Sequence, residues 1–332
     1  MDKNEALIAA FEARAKRREE RRHFFKLTGG TALALTSASL LAGCLDSKNP
    51  DGTDNMPTPM PAPTPTPTVT DADVLNFALN LEYLEAQFYS YAVTGSGLSA
   101  SLLSGTGTQG AVTGGRKVTF TDPVVEQYAN EIAGDEIAHV RFLRDQLGGS
   151  AVAQPAIDIG TDPAGAFSSA ARAAGLVGAG VAFDPYLNDE NFLLGAYVFE
   201  DVGVTAYKGA APLISNKTYL EAAAGILAAE AYHAGLIRTV LYRKGLATPT
   251  LRTSADAISD ARDSLDGSSD LDQGISLKDG KSNIVPTDSD GIAFSRTTGQ
   301  VLNIVYLNKA SASAGGFFPS GVNGTIKASA AN

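Results

Sequence analysis

Cysteine is almost missing from this 332-residue chain. The only one is Cys44, so no disulfide can close within the chain and no zinc cage of clustered thiolates can be built. Basic residues are also scarce beyond that point. With the first 44 residues set aside (8 Lys+Arg, 5 Asp+Glu), 18 basic residues stand against 31 acidic ones, a net charge of −13. No basic run is dense enough to reverse that sign locally, which excludes a nucleic-acid partner. Beyond Cys44 no stretch is long and apolar enough to span a bilayer. Histidine is scarce too, with two beyond Cys44, and glutamate disappears altogether after Glu230.

Against that scarcity, the two remaining histidines occur in the same four-residue pattern. Glu136-Ile137-Ala138-His139 and Glu230-Ala231-Tyr232-His233 each place a carboxylate three residues before an imidazole. On a helix that spacing puts both side chains on one face, a turn apart. With nine glutamates in the 288 residues beyond Cys44, a given histidine has one at that offset by accident about 3% of the time, and both do so roughly 0.1% of the time.

The first 44 residues read as an address. The basic clusters Lys16-Arg17-Arg18 and Arg21-Arg22-His23-Phe24-Phe25-Lys26 precede a modestly apolar run from Leu27 to Leu41, which ends in Leu41-Ala42-Gly43-Cys44. A positive segment, a short apolar segment and small residues before a break describe an export signal. Arg-Arg-x-Phe-Phe-Lys resembles a bacterial twin-arginine signal, with Glu20 where Ser or Thr is usual, and Leu-Ala-Gly-Cys resembles a lipoprotein box. These resemblances imply lipidation at Cys44, a membrane anchor and residence in the bacterial cell envelope. Residues 45–69, with Pro and Thr alternating from Pro57 to Thr68, form an extended linker rather than a core.

Residues 70–246 carry the helical periodicity. Thr70 or Asp71 caps a first helix whose apolar positions run Val74, Phe77, Ala78, Leu81, Leu84 and Phe88, ending at Gly95. Glu82 and Glu85 lie on or beside that stripe, where a carboxylate is costly unless it is paired, neutralised or bound to metal. A Gly/Ser/Thr-rich loop follows, with a short hairpin expected over Val112–Phe120. Thr121-Asp122-Pro123 opens a second helix that stops at Gly148-Gly149, with Arg141 and Arg144 expected to face outward or meet neighbouring acids. Residues 150–186 form a long connection with a short helix from Asp162-Pro163 to Gly175. A third helix runs from Asn188 to Ala211, ended by Pro212, and a fourth from Ser215-Asn216 to Gly245.

Each half of this segment offers the same order of groups. Glu82, Tyr89 and Glu136-x-x-His139 are matched by Glu200, Tyr207 and Glu230-x-x-His233, the tyrosine following its glutamate by seven residues both times. Two Glu-x-x-His helices and two helices with single glutamates make the ligand set of a dinuclear carboxylate centre in a four-helix bundle. Here the chain resembles the ferritin-like superfamily, and within it proteins related to plant desiccation-associated proteins. Leu75-Asn76-Phe77-Ala78-Leu79, Leu81-Glu82-Tyr83-Leu84-Glu85, Phe294-Ser295-Arg296-Thr297 and Gly315-Gly316-Phe317-Phe318-Pro319 add to the likeness.

The resemblance implies an all-α, ferritin-like four-helix bundle with its long crossover between helices two and three. It makes Glu82, Glu136, His139, Glu200, Glu230 and His233 ligands of two iron ions, or manganese. Glu136 and Glu230 would bridge, with Tyr89 and Tyr207 beside them. Glu85 competes with Glu82 for the first-helix role. An oxygen-rich set with two imidazoles suits iron or manganese, and oxidation of Fe(II) or reaction with peroxide or oxygen is the implied chemistry. A non-catalytic, stress-protective envelope lipoprotein is the other reading. Residues 247–332 read as an irregular or partly β extension packed on the bundle, with 299–306 as a strand or buried arm. Such an arm, a linker and a lipid anchor disfavour a ferritin-type cage, though not a smaller oligomer.

Overall fold

In the computed structural model of the chain, residues 69–332 are described with the exception of Lys278, and the export signal, Cys44 and the proline-rich linker lie outside the described residues. Seven α-helices are present among them: α1 (Asp71–Thr94), α2 (Pro123–Leu147), α3 (Ala166–Ala173), α4 (Asp189–Ala210), α5 (Lys217–Ala247), α6 (Pro249–Asp266) and α7 (Thr298–Val305). None is long and apolar enough to cross a membrane.

Helices α1, α2, α4 and α5 form the four-helix bundle, as α1–α2 and α4–α5 pairs joined by the long connection that carries α3. The starts follow local chemistry. Thr70 closes a capping box with Asp73, Asp122 accepts from the Val124 amide with Pro123 in the first turn, and Asn188 and Asn216 cap α4 and α5. Gly95 ends α1 in the left-handed conformation at φ 79°, where a side chain would be strained. Helices α1 and α4 are buried around nearly their whole circumference, the mark of central helices. An aromatic cluster of Phe88, Phe167, Phe192, Phe199 and Phe317 fills the space beside them.

Four expectations are corrected. The hairpin over Val112–Phe120 is absent. Val112–Gly114 instead pairs in parallel with Ile157–Ile159, Val112 opposite Ile157 and Gly114 opposite Ile159. Gly114 has φ 77°, and a Cβ there would stand 2.1 Å from the Gly160 Cα, so the chain turns away where a hairpin would have to continue. Residues 298–305 are helical rather than extended. A short apolar run buried on all sides is ambiguous between helix and strand, and the decisive signal was Thr297 with Gln300, which form a second capping box. Helix α6 was unforeseen because its Asp and Ser content masked the buried series Leu251, Ala255, Ile258 and Arg262. Arg144 turns inward, donating to the Tyr83 hydroxyl (2.5 Å) and the Ser104 carbonyl (2.7 Å), while Arg141 is exposed.

The extension packs on α4 and α5 through a buried ion network. Arg238 of α5 and Arg262 of α6 meet Asp201 of α4 at 2.7 and 2.9 Å. Asp272 takes Arg262 at 2.9 Å and Arg296 at 2.6 Å, and Arg296 also holds Asp266 at 2.6 Å. Arg262 lies 4.6 Å from the Tyr197 ring centroid.

Candidate metal centre

The bundle brings all six sequence-predicted ligands into one buried space. Glu82, Glu136, Glu200 and Glu230 are each 0% exposed and His233 is 3% exposed. Glu82, Glu136, His139 and Glu230 offer ligand atoms within 4.8 Å of one another, and so do Glu136, Glu200 and His233. Glu136 is the residue common to both groups. His139 Nδ1 stands 3.2 Å from Glu82, 3.6 Å from Glu136 and 3.6 Å from Glu230. His233 Nδ1 stands 3.1 Å from Glu136 and 3.5 Å from Glu200, without the alignment of a hydrogen bond. The two imidazole rings are 6.2 Å apart.

Glu230, expected to bridge, groups with one set of donors. It falls with Glu82, Glu136 and His139, and its Oε2 lies 2.4 Å from where a Cβ on Gly203 of α4 would be. Glu82 and Glu85 both point inward, at 0% and 5% exposure. Glu82 joins the ligand cluster; Glu85 does not.

The tyrosines tie the halves together crosswise. Tyr89 of α1 donates to Glu200 of α4, and Tyr207 of α4 donates to Glu82 of α1. Burial first, and then the adjacent carboxylate, hold both phenols well above their ordinary pKa, so they remain donors. Asp135 is a partner that sequence reasoning missed. Its carboxylate lies 3.1 Å from His233 Nε2, leaving Nδ1 for the centre. Its place next to Glu136 was the available signal. At the matching position of the other half stands Ala229, so only His233 has such a partner from that place.

The metal-free arrangement is an accumulation of buried charge. Burial lowers the His139 and His233 pKa values, but the carboxylates around them prevail and push them up to about 10 and about 12. Glu136 is raised to about 7 by burial and by Glu82. Burial and then Glu136 hold both Glu230 and Glu85 well above the carboxylate range. His139 outweighs burial at Glu82 and lowers it. Nine buried side-chain polar atoms among the described residues have no hydrogen-bond partner, and six of them are here: both oxygens of Glu136 and of Glu230, one of Glu200, and His233 Nδ1. Orphaned buried acceptors are costly, and these six surround one space. Two cations there would satisfy them, and the donor set fits iron or manganese.

Comparison with known proteins agrees with this geometry. Residues 70–243 match the ferritin-like domain family. The chain is 28% identical over 271 residues to the ferritin-like catalase Nec2 of Nesocodon mauritianus, covering 77% of this chain and 84% of that one. It is 31% identical over 242 residues to the desiccation-related protein PCC13-62 of Craterostigma plantagineum, covering 68% and 74%. No solved structure matches.

Proposed function

Because this chain belongs to the ferritin-like family, we propose that it holds two iron or manganese ions and uses them in redox chemistry on a small oxidant, peroxide foremost. The observation that carries this reading is the set of six unpartnered, buried ligand atoms gathered around Glu136. Glu82, Glu136, His139 and Glu230 would hold one ion, and Glu136, Glu200 and His233 the other. Two such ions supply electrons or accept them at a site where oxygen species can bind. The chain's own part is to fix the ligands: Tyr89 and Tyr207 hold Glu200 and Glu82, and Asp135 orients His233. The name of the catalase relative supports peroxide as the substrate. The desiccation-related relative supports the second reading, a protective protein that keeps metal without turnover.

The test is elemental analysis with a peroxide assay. The purified protein carries about two equivalents of iron or manganese and evolves oxygen from hydrogen peroxide. Metal without oxygen evolution moves the conclusion to the second reading; no metal removes the redox reading and leaves a non-catalytic ferritin-like scaffold.

Metal must displace protons here. Loading at pH 7 releases protons, foremost those of the two imidazolium groups, measurable by pH-stat titration. The sign for the metal-free protein follows from the raised pKa values. Imidazolium stabilisation is complete below the ordinary histidine value of 6.5 and is lost as pH rises through about 10 and 12. The Glu136 contribution is complete below 4.5 and is lost through about 7. Chelated protein therefore melts at a lower temperature at about pH 9 than at about pH 6, while metal affinity rises over the same interval.

We also propose that the protein is exported and held at the envelope membrane by lipid on Cys44. Cys44→Ser moves it from the membrane fraction to the soluble fraction; a variant that stays with the membrane overturns the anchor.

A further inference from the structure

The position one turn after the lone glutamate is occupied differently in the two halves of the bundle. It is Glu85 after Glu82 on α1, and Gly203 after Glu200 on α4. The two positions face each other. A Cβ on Gly203 would stand 2.4 Å from Glu230 Oε2 and 3.4 Å from Glu85 Oε1, so glycine leaves the space in which these two carboxylates meet. Glycine is unfavourable in mid-helix relative to alanine, and at 203 it leaves room for Glu230 and Glu85. Glu85 makes no hydrogen bond to any described residue, yet is 95% buried, its exposure being 5%. Glu85 also borders a narrow pocket whose other walls include Leu81, Leu84, Val202, Val305 and Phe317. Those side chains offer no hydrogen-bond donor.

A charge count gives the carboxylate a purpose. Glu82, Glu136, Glu200 and Glu230 together balance two divalent cations. A fifth carboxylate beside the same centre, once cation binding has displaced the proton that burial holds on it, is one negative charge more than two divalent ions need, and matches a pair in which one ion is trivalent.

We propose that Glu85 is a fifth carboxylate of the centre, set beside Glu230 over Gly203, and that it gives the site its preference for trivalent over divalent cations. This rests on the dinuclear reading above. The asymmetry between the halves is then functional: the cation nearer Glu230 sits on the side of the bundle that has the extra negative charge.

The experiment uses manganese(II) and citrate-buffered gallium(III), the latter trivalent and redox-inert, with the full chain and its Glu85→Gln and Glu85→Asp variants. Competition titrations give both affinities, and melting curves give the stabilisation by each ion. Glu85→Gln weakens gallium by about tenfold or more and leaves manganese within about threefold. Glu85→Asp, which restores the charge on a shorter stem, recovers part of the gallium affinity. Equal losses of both ions, or no loss of either, overturn the inference, as does a Glu85→Asp variant no better than Glu85→Gln. If the unaltered chain binds neither ion, the dinuclear reading itself fails and takes this inference with it. That outcome is distinct from a chain that binds both and ignores residue 85.

Discussion

Glu136→Ala empties the centre, taking the protein from about two metal equivalents to none. Glu136 is the one residue that belongs to both ligand groups, so its loss removes a donor from each cation at once. The group shared with Glu200 and His233 is left with two donors, and the other with Glu82, His139 and Glu230. Loss of affinity by about two orders of magnitude or more corresponds to about 3 kcal/mol. The fold survives, because the substitution removes a buried carboxylate whose oxygens have no hydrogen-bond partner among the described residues. Far-ultraviolet circular dichroism of the metal-free variant matches that of the metal-free parent, and elemental analysis separates them when metal is supplied. Two retained equivalents would show that the cations are held elsewhere.

Asp272→Ala has the opposite signature: metal ligands intact, stability lost. Asp272 is 8% exposed overall and its carboxylate accepts from Arg262 Nε and Nη2, each at 2.9 Å, and from Arg296 Nη2 at 2.6 Å. Burial works to raise its pKa, but Arg262 and Arg296 prevail and lower it to about 2. Alanine leaves two buried guanidinium groups short of a counter-charge, at a cost of about 3–5 kcal/mol. Urea unfolding shows the loss as a lower midpoint, and limited proteolysis shows it as new cleavage beyond residue 247, where the network fastens the extension to α4. Because the folded-state pKa lies below the ordinary 3.8, the stabilisation from this pair is complete above about pH 4 and disappears as pH falls through about 2. An unchanged urea midpoint in the variant would show that Asp266 and Asp201 alone compensate both arginines.

The four bundle helices and the six side chains that cluster between them were legible in the order of residues. The reason is that both are local patterns. Apolar positions three and four apart, Thr70, Asp122, Asn188 and Asn216 at helix starts, and Glu-x-x-His are all set by the pitch of one helix. The extension was less legible. Thr297 and Gln300 marked a helix start, but Val301, Leu302, Ile304 and Val305 in close succession fit a strand equally well until their burial on all sides is known.

Other features depend on which helix faces which. That Tyr89 reaches Glu200 and Tyr207 reaches Glu82 is a crossing between halves, invisible in the seven-residue spacing that each half repeats. No local pattern pairs Arg238, Arg262 and Arg296 with acids, and only the docking of α6 and the segment after it on α4 puts them in contact with Asp201, Asp266 and Asp272. Sequence also posed Glu82 against Glu85 as alternatives for one role. The tertiary structure gives them different places: helix pitch turns both toward the interior, and the missing side chain at Gly203, on a helix more than a hundred residues later in the chain, decides where Glu85 fits.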